Sequence, residues 1–528
     1  MTTFITVSKL GFSWPDGDRV FDGLDAVFSD GRTALIGDNG TGKSTLLRLI
    51  DGRLTPDAGG VAVSGLVAYL PQELPMRLDD TVAGLLGITG KQRALEAIES
   101  GDADEAHFAV IGEDWDFLER ARVTLDELGL DHIGLERTVA TLSGGESMLV
   151  GLAGRLLLRP DVLLLDEPSN NLDGSARERL YEAVRRFQGT LLVVSHDRAL
   201  LERVDAVAEL YAGRIRTFEG NYDAYERAIA IEQEAAERAV RDAKAELSRQ
   251  KREFAEMQTK LARREKAGKK KFANAPAIVR NAKKNQGEST SGRVKTAMAE
   301  DVAEAREGLE AAKAEVREDA SISIDLPETS VSPHREIALI EGLEAGGLYG
   351  DGLDLHVRGP ERIGLTGDNG SGKSTLLRAV AEAARVPHGF LTQRLEFLDD
   401  EASVLDNVRS RAPDTDPALL RTRLARFLLR GDTVFHRVGT LSGGERLRVA
   451  LAAVLSARPA PHLLLLDEPT NNLDMTSIGQ LRQALTAYRG AMIVVSHDEA
   501  FLDGLGLTRL VRLERGAGVV SDTVPEPR

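Results

Sequence analysis

The chain has 528 residues, 42% of them hydrophobic and 28% charged, and it contains no cysteine. A domain runs ~100–200 residues, so the length predicts about three units, each with its own core. Zero cysteine excludes a disulfide framework and any thiolate-held metal and fits a reducing cytosol. No apolar run approaches the ~18 residues of a membrane span, and Met1 to Leu10 has no basic stretch followed by an apolar core. A soluble cytoplasmic chain without a signal peptide is expected. The net charge of −16 hides a block from Lys260 to Lys295 with 12 basic against 2 acidic residues, a local +10 that leaves −26 elsewhere. That asymmetry predicts a different partner for the middle of the chain than for its ends.

In chain order, the first signal is a strand, Thr33 to Ile36, then a glycine-rich turn, Gly37-Asp38-Asn39-Gly40-Thr41-Gly42, then a helix opening at Lys43-Ser44-Thr45. Such a phosphate loop wraps phosphates with backbone N–H groups, while Lys43 reaches the β/γ oxygens and Ser44 ligates Mg²⁺. The helix N-terminus adds a favourable dipole. Gln72 follows as a candidate Mg²⁺ and water contact. The run Val162 to Leu165 is apolar throughout, as in a strand buried on both faces of a parallel sheet. Asp166 ends it where ligands bind in such sheets, which makes it a Mg²⁺ partner, and Glu167 is placed to polarise water. His196 follows another apolar strand, Leu191 to Val194, as a candidate γ-phosphate sensor. A lone Asp-Glu pair or His would ordinarily be a solvated turn or a structural hydrogen-bonder.

Duplication decides against those readings. The loop recurs as Gly367-Asp368-Asn369-Gly370-Ser371-Gly372-Lys373-Ser374-Thr375, and Asp166-Glu167 and His196 recur as Asp467-Glu468 and His497. Leu142-Ser143-Gly144-Gly145-Glu146 recurs as Leu441-Ser442-Gly443-Gly444-Glu445, and Gln393 is the second candidate Mg²⁺ and water contact. Lys43 lies 100 residues before Ser143 but Lys373 only 69 before Ser442, whereas Ser143 to His196 and Ser442 to His497 span 53 and 55. The nucleotide-handling cores are predicted duplicates, with the 31 extra residues of the first half placed in a helical insert.

Between the copies the periodicity changes. Val240, Leu247, Phe254 and Leu261 recur every seven residues with Ala236, Ala243 and Met257 between them, and Val302, Leu309 and Val316 do so with Met298, Ala305 and Ala312. Two heptad stripes joined by a Gly/Lys/Asn-rich turn predict an antiparallel coiled-coil hairpin. Its tip carries Lys269, Lys270, Lys271, Phe272, Arg280, Lys283 and Lys284, a concentration that favours contact with a phosphate backbone over a merely solvated face. Phe272 either stacks on a base or packs the loop.

These residues resemble the ATP-binding cassette superfamily, with Leu-Ser-Gly-Gly-Glu as its signature motif. The resemblance implies an α/β fold with two cassettes. Each has a phosphate-loop NTPase core with helical and antiparallel β subdomains, and a coiled-coil hairpin linker joins them, with divisions at 1–220, 221–320 and 321–528. It also implies head-to-tail closure of the two cassettes of one chain. One ATP would then lie between Lys43, Ser44, Asp166, Glu167 and His196 and the opposite Ser442, Gly443 and Gly444. The other would lie between Lys373, Ser374, Asp467, Glu468 and His497 and Ser143, Gly144 and Gly145. Trp14 matches the adenine-stacking aromatic, for which the second half offers only Tyr349 as a substitute. Leu149 stands where the second half has the family's basic residue, Arg448, which implies unequal turnover.

Two cassettes, a basic hairpin beginning Gly220-Asn221-Tyr222 and no membrane span resemble the ABC-F family, whose members work on the ribosome. The resemblance implies a monomeric ATPase that uses ATP and Mg²⁺ and has no permease partner. It would bind at the tRNA exit site with its linker toward the P-site tRNA, the rRNA and the peptidyl-transferase centre, and hydrolysis would release it. The long linker and the absence of an evident extra arm favour ribosome protection against antibiotics over a housekeeping translation role. A tandem ATPase subunit of an importer would need no basic hairpin, and in DNA-associated ATPases the coil splits one cassette rather than separating two.

Overall fold

A computed structural model describes the chain apart from residues 1–3, 73, 75–79, 171, 272–276, 317–325, 351, 393, 472 and 524–528, and apart from the side chains of 264–265, 268–295, 327 and 521–522. Two compact units result, Met1–Tyr222 together with Ala320–Arg528, and Asp223–Asp319.

The first half of the larger unit contains β1 (Phe4–Ser13), β2 (Arg19–Ser29), β3 (Gly31–Ile36), β4 (Ala58–Val63), β5 (Val67–Leu70), β6 (Val162–Asp166), β7 (Thr190–Val194), β8 (Ala206–Tyr211) and β9 (Arg214–Glu219). Six of these form one sheet in the order β5-β6-β7-β3-β8-β9, parallel as far as β8 and antiparallel at β9. Every residue of β6 and β7 is buried. Helices therefore cover both faces, and such strands read as continuous apolar runs rather than alternating ones. A separate antiparallel sheet, β2-β1-β4, shares a core with the parallel one through Ile5, Phe21, Phe28, Leu46, Leu164 and Leu192.

The second half repeats the parallel sheet with β10 (Glu336–Leu343), β11 (Leu353–Arg358), β12 (Arg362–Thr366), β13 (His388–Leu391), β14 (Leu463–Asp467), β15 (Ala491–Val495), β16 (Arg509–Glu514) and β17 (Gly518–Thr523). The order β13-β14-β15-β12-β16-β17 matches the first sheet strand for strand. Its antiparallel sheet is shorter, with β10 and β11 as its strands, and the counterpart of β4 is reduced to one antiparallel bridge from Ala384 to Ala338 of β10. This corrects the placing of the length difference. Nine of the 31 extra residues precede β5, where β4 sits, and only the remainder enlarge the helical insert.

Eight helices place the nucleotide-handling motifs and the hairpin: α1 (Lys43–Ile50), α2 (Gly144–Leu157), α3 (Gly174–Arg186), α4 (Tyr222–Lys271), α5 (Ala277–Glu315), α6 (Lys373–Ala383), α7 (Gly443–Leu455) and α8 (Met475–Ala487). The Leu-Ser-Gly-Gly-Glu motif is itself a helix start. Ser143 caps α2 and Ser442 caps α7, and Glu146 and Glu445 reach back to the capping backbone, so two orphan donors are satisfied reciprocally at each end. Asp173 and Asp474 cap α3 and α8 through their side chains alone, accepting from Ala176 N and Ser477 N.

In the second unit α4 and α5 bury little. Tyr225, Leu247 and Leu309 are the buried apolar residues among those described, and the partly covered ones include Val240, Phe254, Leu261, Val302 and Val316 at the seven-residue spacing. The 50 residues of α4 make a helix about 75 Å long at ~1.5 Å per residue. Lys269, Lys270 and Lys271 end α4, and Arg280, Lys283 and Lys284 lie near the start of α5. Their side chains, and Phe272 altogether, lie outside the described residues.

Candidate nucleotide sites

Each phosphate loop leaves a buried strand and turns into its helix through a left-handed glycine. Gly42 has φ +100°, and a Cβ there would come within 2.5 Å of Val20 Cγ1; Gly372 has φ +96°, and a Cβ there would meet the Tyr349 hydroxyl at 2.7 Å. Only glycine serves at such a position. The loop folds around its own lysine. Lys43 Nζ donates to the carbonyls of Gly37 and Asp38 at 2.6 and 3.0 Å, and Lys373 Nζ to those of Gly367 and Asp368 at 2.7 and 2.9 Å. Burial lowers the pKa of both ammonium groups, opposed mainly by the charges of Glu167 and Glu468 respectively.

The glutamates are held in an unfavourable backbone. Glu167 has φ 49° and Glu468 φ 48°, a left-handed conformation that costs an L-residue roughly 1–2 kcal/mol. Hydrogen bonds from Glu167 N to the Val194 carbonyl at 2.8 Å and from Glu468 N to the Val495 carbonyl at 3.0 Å fix it. Each carboxylate thereby faces its histidine, with Glu167 Oε1 at 3.2 Å from His196 Nε2 and Glu468 Oε1 at 3.4 Å from His497 Nε2. The angles are too poor for hydrogen bonds, so these four buried atoms have no such partner among the described residues. Burial pushes Glu167 up to about 8 and Glu468 up to about 7, and it pushes His196 down to about 3 and His497 down to about 4. Opposite directions from one cause are expected when desolvation dominates, since it penalises whichever form is charged. Such atoms, buried and aimed at a phosphate loop, are arranged to receive a ligand's oxygen or water.

The first site is a cavity of about 260 Å³ that brings together Trp14, Asn39, Gly40, Gly42, Lys43, Ser44, Thr45, Gln72, Glu167 and His196. Gly37, Asp38 and Thr41 complete the loop behind it, with Thr41 Oγ1 donating to the Asp38 carbonyl. Asp166 lies below, its Oδ1 accepting from Ser44 Oγ at 2.9 Å. The second site, about 530 Å³, gathers Asn369, Gly370, Gly372, Lys373, Ser374, Thr375, Asp467, Glu468 and His497. Gly367, Asp368 and Ser371 belong to the same turn, and Gln393 lies outside the described residues. Gly144 and Leu172 of the first half also line the second cavity, so one signature faces the opposite phosphate loop. None of Ser442, Gly443 and Gly444 lines the first cavity in return.

Side chains that the motifs did not name join the two halves. Asn39 N donates to Asp474 Oδ2 at 2.7 Å, and Thr476 Oγ1 donates to Asp38 Oδ1 at 2.8 Å. The reciprocal Asn369 N to Asp173 Oδ2 contact is longer, at 3.4 Å. The Asn-Asn-Leu-Asp repeat at Asp173 and Asp474 carried the signal for these two. Arg177, whose Nη1 donates to the His497 carbonyl at 3.1 Å, carried none, because the second half has Ile478 in its place.

The sites differ below and beside the loops. Tyr69 on β5 donates from its hydroxyl to Asp166 Oδ2 at 2.9 Å. Arg53 stacks over its ring, and Arg155 of α2 donates to its carbonyl at 3.2 Å. At the matching places in the second half stand Phe390 and Val454, and no hydrogen bond joins Ser374 to Asp467 among the described residues. Trp14 packs edge-on against Phe12 at 5.2 Å and lines the first cavity. Tyr349 is no substitute for it. That ring is buried, and its hydroxyl donates to the Gly372 carbonyl at 2.7 Å, so it supports the loop from beneath and Leu348 lines the cavity instead. Leu149 is buried, whereas Arg448 donates to Gln480 Oε1 at 3.0 Å.

Residues 26–170 and 351–471 match the sequence profile described as ABC transporter. The chain is 33% identical over 520 residues to the tylosin resistance ATP-binding protein TlrC of Streptomyces fradiae, covering 90% of each chain. It is 32% identical over 520 residues to the probable ATP-binding protein YheS of Escherichia coli K12, covering 92% of this chain and 75% of that one. ABC transporter F family member 5 of Arabidopsis thaliana is 30% identical over 530 residues, with coverage of 92% and 71%. The chain belongs to the ABC-F family. As an ABC-F protein it binds ATP and is an ATPase. Among solved structures, the archaeal ribosome recycling factor aABCE1, crystallised with the ribosomal stalk protein aP1, shares the fold with a TM-score of 0.56 at 17% identity, covering 97% of this ABC-F chain and 89% of that one. No helix among the described residues is long and apolar enough to cross a membrane.

Proposed function

We propose that this ABC-F protein is a cytoplasmic ribosome-binding ATPase that acts as a monomer. In its ATP-closed form it would occupy the tRNA exit site and direct its hairpin toward the P-site tRNA and the peptidyl-transferase centre, and hydrolysis would release it. The observation that carries this reading is the local +10 between Lys260 and Lys295 in an otherwise acidic chain, a stretch that includes the last residues of α4 and the first of α5. Positive charge confined to that stretch suits rRNA and tRNA phosphates, whose binding releases counterions. The likeness to a tylosin resistance protein supports ribosome protection against an antibiotic over a housekeeping translation role.

Lys43 and Lys373 then neutralise the transferred phosphate, Glu167 and Glu468 orient the attacking water, and His196 and His497 contact the γ-phosphate. Ser44 and Asp166 form an all-oxygen donor pair beside the loop, which suits Mg²⁺. With Gln72, and with Ser374, Gln393 and Asp467 at the other site, they would hold the ion. Bound there, Mg²⁺ supplies charge neutralisation between the phosphates. Trp14 stacks on the adenine.

Sedimentation with 70S ribosomes tests the reading. A Glu167→Gln, Glu468→Gln double variant is expected to remain ribosome-bound in ATP, and a trapped form that stays off ribosomes would overturn the assignment. Replacing Lys269, Lys270, Lys271, Lys283 and Lys284 with glutamine should weaken that binding and flatten its salt dependence while leaving basal ATPase activity intact.

A further inference from the structure

Arg177 stands in the first turn of α3, four residues past Asp173, and reaches across to the opposite half. Its Nη1 donates to the His497 carbonyl at 3.1 Å and lies 3.9 Å from Asp197 Oδ2. Both side chains are largely covered, 14% and 7% exposed. Asp197 is fixed in turn, accepting from the Tyr181 hydroxyl at 2.6 Å and capping its own helix through Leu200 N. A cation taken out of water at such a place is costly unless its surroundings compensate it. Here Asp197 does so on one side, and the charge of Arg177 acts on Glu468 and Asp498 on the other. One guanidinium thus touches the residue after His196 and the backbone of His497.

Among the described residues, nothing reciprocates. Four residues past Asp474 stands Ile478, and α8 instead sends Asp474 and Thr476 to the phosphate loop at Asn39 and Asp38. Both sites are therefore gripped at their phosphate loops, the second through the longer Asn369–Asp173 contact, and the second is gripped at its histidine as well. We propose that Arg177 is a positioning residue for the second nucleotide site, holding the main chain at His497 from the opposite half, while His196 has no equivalent support among the described residues. The inference rests on the reading that Glu468 and His497 act on ATP.

Site-resolved turnover tests it. In a Glu167→Gln background, where the second site alone turns over, Arg177→Met is expected to lower kcat about 10-fold, the scale of one lost charge-assisted hydrogen bond, with KM for ATP changed less than about threefold. Arg177→Lys should recover much of that loss. In a Glu468→Gln background the same Arg177→Met change should move first-site turnover by less than about twofold. Hydrogen exchange of the ATP-bound protein supplies a reading independent of the glutamates: Arg177→Met should raise exchange over residues 495–500 and affect 194–199 less, because Asp197 keeps its bond from the Tyr181 hydroxyl. Equal loss at both sites, which simple adhesion between the halves would give, or unaltered exchange over 495–500 overturns the inference. Turnover indifferent to both glutamine changes would remove the roles given to Glu167 and Glu468, and the exchange comparison would then decide on Arg177 alone.

Discussion

The two cassettes agree in what touches phosphate and differ in what holds those groups in place. Lysine contacts, left-handed glutamates and glutamate–histidine distances agree within 0.2 Å or a degree. Around them, Tyr69, Arg155 and Trp14 of the first cassette are replaced by Phe390, Val454 and Leu348 in the second, and β4 is reduced to a single bridge at Ala384. The difference teaches that the reaction's geometry constrains atoms at the phosphates tightly, whereas the means of supporting them are free to vary, and support sets how readily each site assembles.

The comparison can be broken most severely at the glutamates. Replacing both with glutamine should cut ATPase activity by about 100-fold or more, the scale of general-base catalysis, and the two single variants should retain unequal residual rates. Equal residual rates in a steady-state assay would erase the functional asymmetry. Tyr69→Phe comes next. It strips one of two side-chain donors from buried Asp166 and should cost the nucleotide-free protein about 1–3 kcal/mol, the price of an unsatisfied buried acceptor, whereas Phe390→Leu should leave the Mg²⁺ dependence of the second site unchanged. Thermal unfolding and Mg²⁺ titration of turnover measure the two. Trp14→Ala should weaken ATP binding to the first site by roughly 2- to 10-fold, in line with one aromatic contact, while Leu348→Ala changes the second site little; titration with a fluorescent ATP analogue reads both.

The smallest expected effect concerns pH. Glu167 at about 8 and Glu468 at about 7 both lie above the ordinary carboxyl value of 4.5, so the folded state keeps protons that the unfolded chain has released. The stability this confers is complete below pH 4.5 and is lost as pH rises through 7 and then 8. Glu167→Gln should therefore raise the melting temperature at pH 8.5 and leave it unchanged at pH 5, and Glu468→Gln should do so less. His196 and His497 titrate in the opposite sense. Their depressed values of about 3 and 4 give stability that is present above the ordinary 6.5 and lost on acidification, which keeps the alkaline window clear for the glutamates.

Much of the fold and of both sites is legible in the sequence alone, for physical reasons that differ by element. The doubly buried strands β6 and β7 show as unbroken apolar runs, the loops show because left-handed turns demand glycine, and the heptads of α4 and α5 show because burial over much of their described length recurs every seven residues. The supporting residues are hidden because they are not repeated: Tyr69 and Arg177 gain meaning only beside Asp166 and His497, which lie 97 and 320 residues away. Tyr349 misleads for the opposite reason. An aromatic near a phosphate loop can stack on a base or prop the loop from below, and only the position of its hydroxyl against Gly372 distinguishes the two. The length difference misleads too, because part of it is the strand β4 rather than helix.

Asp474 and Arg177 both reach across to the opposite cassette within one polypeptide, and this has a consequence for inheritance. In a symmetric pair of identical chains a mutation strikes both sites at once, so a residue helpful at one and harmful at the other cannot persist. Joined in tandem, positions 177 and 478 are separate letters, and an arginine can be kept on one side while isoleucine stays on the other. Closure also becomes a unimolecular event, independent of how dilute the protein is. A division of labour between the two sites can then be fixed one substitution at a time.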